Sequence, residues 1–109
     1  MTTVLHDTVT LTGRSGQQYQ FAIWRRETTF QAKGGVFIMA RVEGWPRFHI
    51  VYIGDVADMS KRPFVRDRIP CFNQHGVDHI FTLEEQDAGK RKAIADDLIQ
   101  ATMPVCNQV

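Results

Sequence analysis

Between residues 50 and 63 the chain reads IVYIGDVADMSKRP. An apolar run stops at Tyr52-Ile53-Gly54, and a basic pair, Lys61-Arg62, follows with Arg62 eight residues past the glycine. A strand end by itself requires neither a phenol nor a basic pair at a set distance. The charge distribution points the same way. Residues 14 to 68 hold ten Lys/Arg against five Asp/Glu, whereas residues 78 to 97 hold six acids against three bases. A locally basic half can face a polyanion, and a mixed, solvated surface is the ordinary alternative.

A second pattern, Cys71-x3-His75-x3-His79, has spacing suited to zinc. A structural zinc site needs four ligands. No fourth is evident, and Pro70 and Gly76 break any helix that would align the three, so zinc is not expected. Phosphate-binding Walker loops, dinucleotide glycine fingerprints and the nucleophile elbow G-x-S-x-G are absent from the sequence. Lys90, Arg91 and Lys92 in AGKRKA suit phosphate contact but read better as a wet helix face, with Lys92 paired to Asp96 at i,i+4.

These side chains need a scaffold, and 109 residues suffice for one core. Hydrophobic residues at 43% and charged residues at 23% match a globular domain. No apolar run is long enough for a membrane span, and MTTVLHDTVT lacks the order of a secretory signal. The expected compartment is the cytoplasm, with Cys71 and Cys106 as reduced thiols.

Threonine and apolar residues alternate in TVTLTG, and Tyr19, Phe21 and Ile23 alternate with Gln20, Ala22 and Trp24. With RSGQ as the turn, this predicts a β-hairpin. VFIMARV and FHIVYI read as further strands, separated by EGWP and ended by Gly54. Asp55 then caps a helix that Pro63 stops. Phe64, Val65, Ile69 and Phe72 suggest a short helix bent by Pro70, and DHIFTL a third central strand. Thr82-x-x-Glu85 fits a capping box. The final helix covers residues 87–103, with Ile94, Leu98, Ile99 and Met103 on one stripe before Pro104. The expected class is α+β: a small, mostly antiparallel central sheet with flanking helices, preceded by an N-terminal β-hairpin.

In order, Gly35-Val36-Phe37 opens one strand, Tyr52-Ile53-Gly54 closes the next, Arg62 follows, and helix, Pro104 and Asn107 end the chain. This succession resembles the GIY-YIG nuclease superfamily. The resemblance spans residues 34–107 as a family core, with residues 1–33 as an extension of the same single domain. It implies an endonuclease that hydrolyses phosphodiesters of nucleic acid, with DNA the expected partner, using one Mg²⁺ or Mn²⁺ ion. Tyr52 would hydrogen-bond the attacking water or the phosphate, and Arg62 would stabilise charge on the phosphate. Asn107 would support the site. His75 or His79 would donate to phosphate, and Lys61 and Arg66 would contact nucleic acid. Arginine forks and metals suit the charge that builds on phosphoryl oxygens.

Two positions depart from the family. Phe37 stands where a tyrosine is expected and lacks its proton-transfer group. Ala95 stands where a metal-binding glutamate is expected, and a methyl group cannot ligate a hard cation. Asp96 and Asp97 follow, but one residue along a helix is about 100° of rotation, so either, Asp96 being the metal candidate, replaces the glutamate only with a shift of the helix. The implied function is therefore an impaired endonuclease, or a non-catalytic nucleic-acid- or protein-binding module on the same scaffold.

Overall fold

The computed structural model describes residues 8–61 and 64–108. Five strands run through it: β1 (Thr8–Thr12), β2 (Gln18–Arg25), β3 (Gly35–Val42), β4 (Phe48–Val56) and β5 (His79–Glu84). Helix α1 (Ile69–Gln74) precedes β5, and helix α2 (Ala88–Thr102) follows it. Short 3-10 turns lie at Arg66–Arg68 and Val105–Asn107. All strand pairings are antiparallel, in the order β1-β2-β5-β3-β4. The architecture is thus α+β, with β5 at the centre and β4 at one edge.

The β1–β2 hairpin turns at residues 13–17, where Gly16 adopts a positive φ of 91° that a side chain would disfavour. The hairpin continues the sheet, because the second half of β2, Ala22 to Arg25, pairs with β5. Its turn is also fastened to α2. Asp97 accepts hydrogen bonds from the Ser15 amide (2.8 Å), the Ser15 hydroxyl (2.7 Å) and the Tyr19 hydroxyl (2.7 Å).

Strand β3 is buried from Gly35 to Ala40 because both faces of the sheet are covered. On one face α2 packs Ala95 and Leu98 against Val36, Ile38, Ile53 and Phe81. On the other, α1 and its neighbours pack Phe72 and Cys106 against Phe37, Met39, Val51 and Ile80. Alternation along β3 separates the two sets. The register of β3 on β4 shifts between Met39 and Ala40, which turns Val51 and Tyr52 toward the same side.

Several local expectations are corrected. Strand β4 does not end at Gly54; it continues to Val56. The glycine makes room instead, since a Cβ there would lie 2.8 Å from Cζ of the Phe37 ring. Asp55 caps no helix: it is a strand residue whose carboxylate faces Arg91. Residues 57–61 form turns rather than a helix. Asp58 accepts from the Ser60 amide (2.9 Å) and hydroxyl (2.6 Å), and buried Met59 anchors the segment with its amide on the Lys33 carbonyl. The expected stop, Pro63, lies outside the described residues.

Pro70 opens α1 rather than bending it, in the first turn where a missing N–H costs nothing. Thr82 lies inside β5 and accepts from the Trp24 indole (2.8 Å), so it is not a helix cap. The cap of α2 is Asp87, which accepts from the Lys90 amide. Met103 leaves the apolar stripe because it takes a left-handed conformation past the helix end, and it is 61% exposed.

Candidate functional site

The side of the sheet that carries Phe37 also carries a line of aromatic rings. Trp24 meets Phe30 edge-on at 5.7 Å, and Phe30 lies 6.1 Å from Phe64. Phe64 packs on Phe37 at 4.7 Å, Phe37 on Tyr52 at 6.0 Å, and Tyr52 on Phe72 at 5.5 Å. Strand pleating supplies Trp24, Phe37 and Tyr52 from three different strands, and the loops and α1 supply the rest. A cleft of about 420 Å³ opens at the Trp24 end, bordered by Ala22, Gln31, Lys33, Met59 and Thr82.

Phe64, in the sequence segment between β4 and α1, packs on this face. That segment carries Lys61, Arg66 and Arg68, none of which forms an ion pair with a described residue. Lys61 and Arg66 are exposed. Arg62 lies outside the described residues.

Tyr52 and Phe37 are brought together, but Ala95 is not brought to them. Ala95 is buried against Val36, Ile38 and Ile53, on the opposite face of the sheet. Asp96 is exposed and lies 3.5 Å from Lys92, the i,i+4 pair that the sequence suggests. Asp97 is committed to Ser15 and Tyr19, and those hydrogen bonds hold its carboxyl below the ordinary carboxylate value. The Tyr19 phenol is shifted upward, first by burial and then by the Asp97 carboxylate. The residues at the positions that the resemblance would assign to a metal do not fit an oxygen-ligated Mg²⁺ or Mn²⁺ ion. Ala95 offers no oxygen, and the neighbouring carboxylates point elsewhere.

Asn107 has a definite task. Its Oδ1 accepts from the Ile53 amide at 2.8 Å and its Nδ2 donates to the Ile53 carbonyl at 2.9 Å. It completes the outer edge of β4 as a neighbouring strand would, and so fixes the backbone beside Tyr52. His79 is engaged elsewhere, with Nδ1 2.8 Å from Asp78. His75 follows α1 and lies close to both cysteines.

Two features went unrecognised in the sequence. Arg91 is not part of a wet face; it is 7% exposed. It donates to the carbonyls of Glu85 and Gln86 and lies 3.4 Å from Asp55, tying α2 to the end of β4. Its signal was position, since Arg91, Ile94, Ala95 and Leu98 fall on one helical stripe. The cysteines are not reduced thiols: Cys71 of α1 and Cys106 of the C-terminal 3-10 turn form a disulfide. Both elements cover the same face of the sheet, so residues 35 apart in sequence become neighbours. The pairing removes thiol state as an argument for a reducing compartment. No helix among the described residues is long and apolar enough to cross a membrane.

Compared with known proteins, the chain matches no family model, no curated protein and no solved structure.

Proposed function

We propose that this chain is a nucleic-acid-binding domain on a GIY-YIG-like scaffold, without an intact phosphodiesterase centre. The observation that carries the reading is the packing of Phe64, two residues before Arg66, on Phe37 beside Tyr52. Cations without an ion pair among the described residues suit a phosphate backbone, and an exposed aromatic ring suits an unstacked base. Phosphate contact by Lys61 and Arg66 would position the strand, and Trp24, 40% exposed at the cleft, would offer a ring to a base. A lack of cleavage is supported by Phe37, which has no hydroxyl, and by Ala95, which has no ligand atom and sits in the opposite core layer.

The competing reading is a weak Mg²⁺- or Mn²⁺-dependent endonuclease that relies on Tyr52 and Arg62. One experiment separates the two. The chain is incubated with duplex, single-stranded and branched DNA, with either metal or with chelator, while binding is followed by fluorescence anisotropy. Salt-sensitive binding without cutting is expected. Metal-dependent cutting that vanishes in Arg62→Ala would establish the endonuclease. Failure to bind any of the three at low salt would point to a protein partner instead.

A further inference from the structure

The disulfide lies within a larger cluster. One ligand atom each from Cys71, His75 and Cys106 lie within 4.8 Å of one another. The geometry points to a site for one thiophilic divalent cation of the Zn²⁺ type, held by the two thiolates and the His75 imidazole once the disulfide is reduced. The disulfide is then the closed, metal-free form of the same site.

Each part of the site is held independently of the sulfur–sulfur bond. Cys71 and His75 are one helical turn apart, with the His75 amide donating to the Cys71 carbonyl at 3.1 Å. Helix α1 is pinned by buried Phe72 and by Arg26, which donates to Asn73 at 2.9 Å. Cys106 is fully buried, and Asn107 beside it grips Ile53 by two hydrogen bonds. The cysteine Cα atoms are 6.0 Å apart. Zinc–sulfur bonds of about 2.3 Å and zinc–nitrogen bonds of about 2.0 Å fit between side chains so placed after small rotations. His79 takes no part, being bound to Asp78. A cavity of about 350 Å³, bordered by His75, Pro104 and Val105 but by neither cysteine, brings water to the imidazole side of the cluster. Arg41 also borders it, but Glu43 pairs with its guanidinium at 2.8 Å.

The redox step balances. A phosphine reductant with one water gives the phosphine oxide and two thiols; a cellular dithiol would instead transfer two electrons and become a disulfide. The cation then displaces two thiol protons to solvent.

The test uses the full chain, reduced with a phosphine and freed of excess reagent under inert gas, and titrated with Co²⁺ alone. We expect thiolate-to-metal absorption saturating at one ion per chain and displaced by equimolar Zn²⁺, with none in the oxidised chain. His75→Ala should weaken binding by at least about tenfold, the loss seen for mere outer-shell partners. Circular dichroism monitors the fold throughout. Absence of the band in the folded, reduced chain, equal binding by the oxidised chain, or unchanged affinity in His75→Ala would overturn the site. A reduced chain that unfolds and is not restored by Zn²⁺ would overturn it too.

Discussion

Replacing Asn107 with alanine tests how the edge of the sheet is closed. The side chain satisfies both backbone groups of Ile53 that face away from β3, at 2.8 and 2.9 Å. A hydrogen bond contributes about 0.5–1.5 kcal/mol net, and an abandoned backbone group costs about 1–3 kcal/mol. β4 is an outer strand, so water can reach the vacated groups, and the lower ends of these ranges apply. Two abandoned groups at about 1 kcal/mol each give a loss of about 2 kcal/mol. For a domain of this size that is roughly 8 °C in Tm, at about 4 °C per kcal/mol. Differential scanning calorimetry of Asn107→Ala with the disulfide intact gives the comparison. Reduction should enlarge the difference, because Cys106 then no longer holds the turn. Asn107→Asp keeps the acceptor but sets a carboxylate against the Ile53 carbonyl. It should be destabilised at neutral pH and recover as the carboxyl protonates. A Tm within about 2 °C of the parent for Asn107→Ala would refute the edge-closing role, being under a third of the shift expected.

Ala95→Glu should not create metal-dependent cleavage, because the new carboxylate would enter the core layer under α2; urea denaturation should show a loss of about 3 kcal/mol or more. Arg91→Leu leaves Asp55 without its cation and should cost about 2 kcal/mol in the same assay, below the usual 3–5 because Asp55 is partly exposed; adding Asp55→Asn should recover part of it. The Asp97 carboxyl is held below its ordinary value of 3.8 by Ser15 and Tyr19. A depressed value means the stabilisation is complete above 3.8 and lost as pH falls through the lower folded value. Melting curves across this acid range should therefore fall less steeply for Asp97→Asn than for the parent, and equal slopes would dismiss the latch.

The strands were legible because their alternation and the turn at residues 14–17 agree, and the final helix because its stripe is long. What failed was local punctuation whose cause is tertiary. Gly54 reads as a strand end, but it is small because the Phe37 ring passes over it. Asp55 and Thr82 have good capping chemistry, yet partners from distant segments, Arg91 and Trp24, claim them inside strands. The neighbourhood of Tyr52 and Phe37 followed from the strand pairing. The separation of Ala95 from them did not, since it depends on which face α2 covers. The disulfide had no local signal at all: it exists because α1 and the last turn cover one face.

The most direct measurement is the salt dependence of duplex DNA binding by the parent and by a variant combining Lys61→Ala, Arg66→Ala and Arg68→Ala. Each phosphate contact contributes about 0.9 to the slope of log affinity against log salt. The account predicts measurable binding by the parent at low salt and a slope shallower by roughly 2–3 in the variant, corresponding to two or three lost contacts. Equal slopes for the two proteins, or a parent that does not bind, would contradict it.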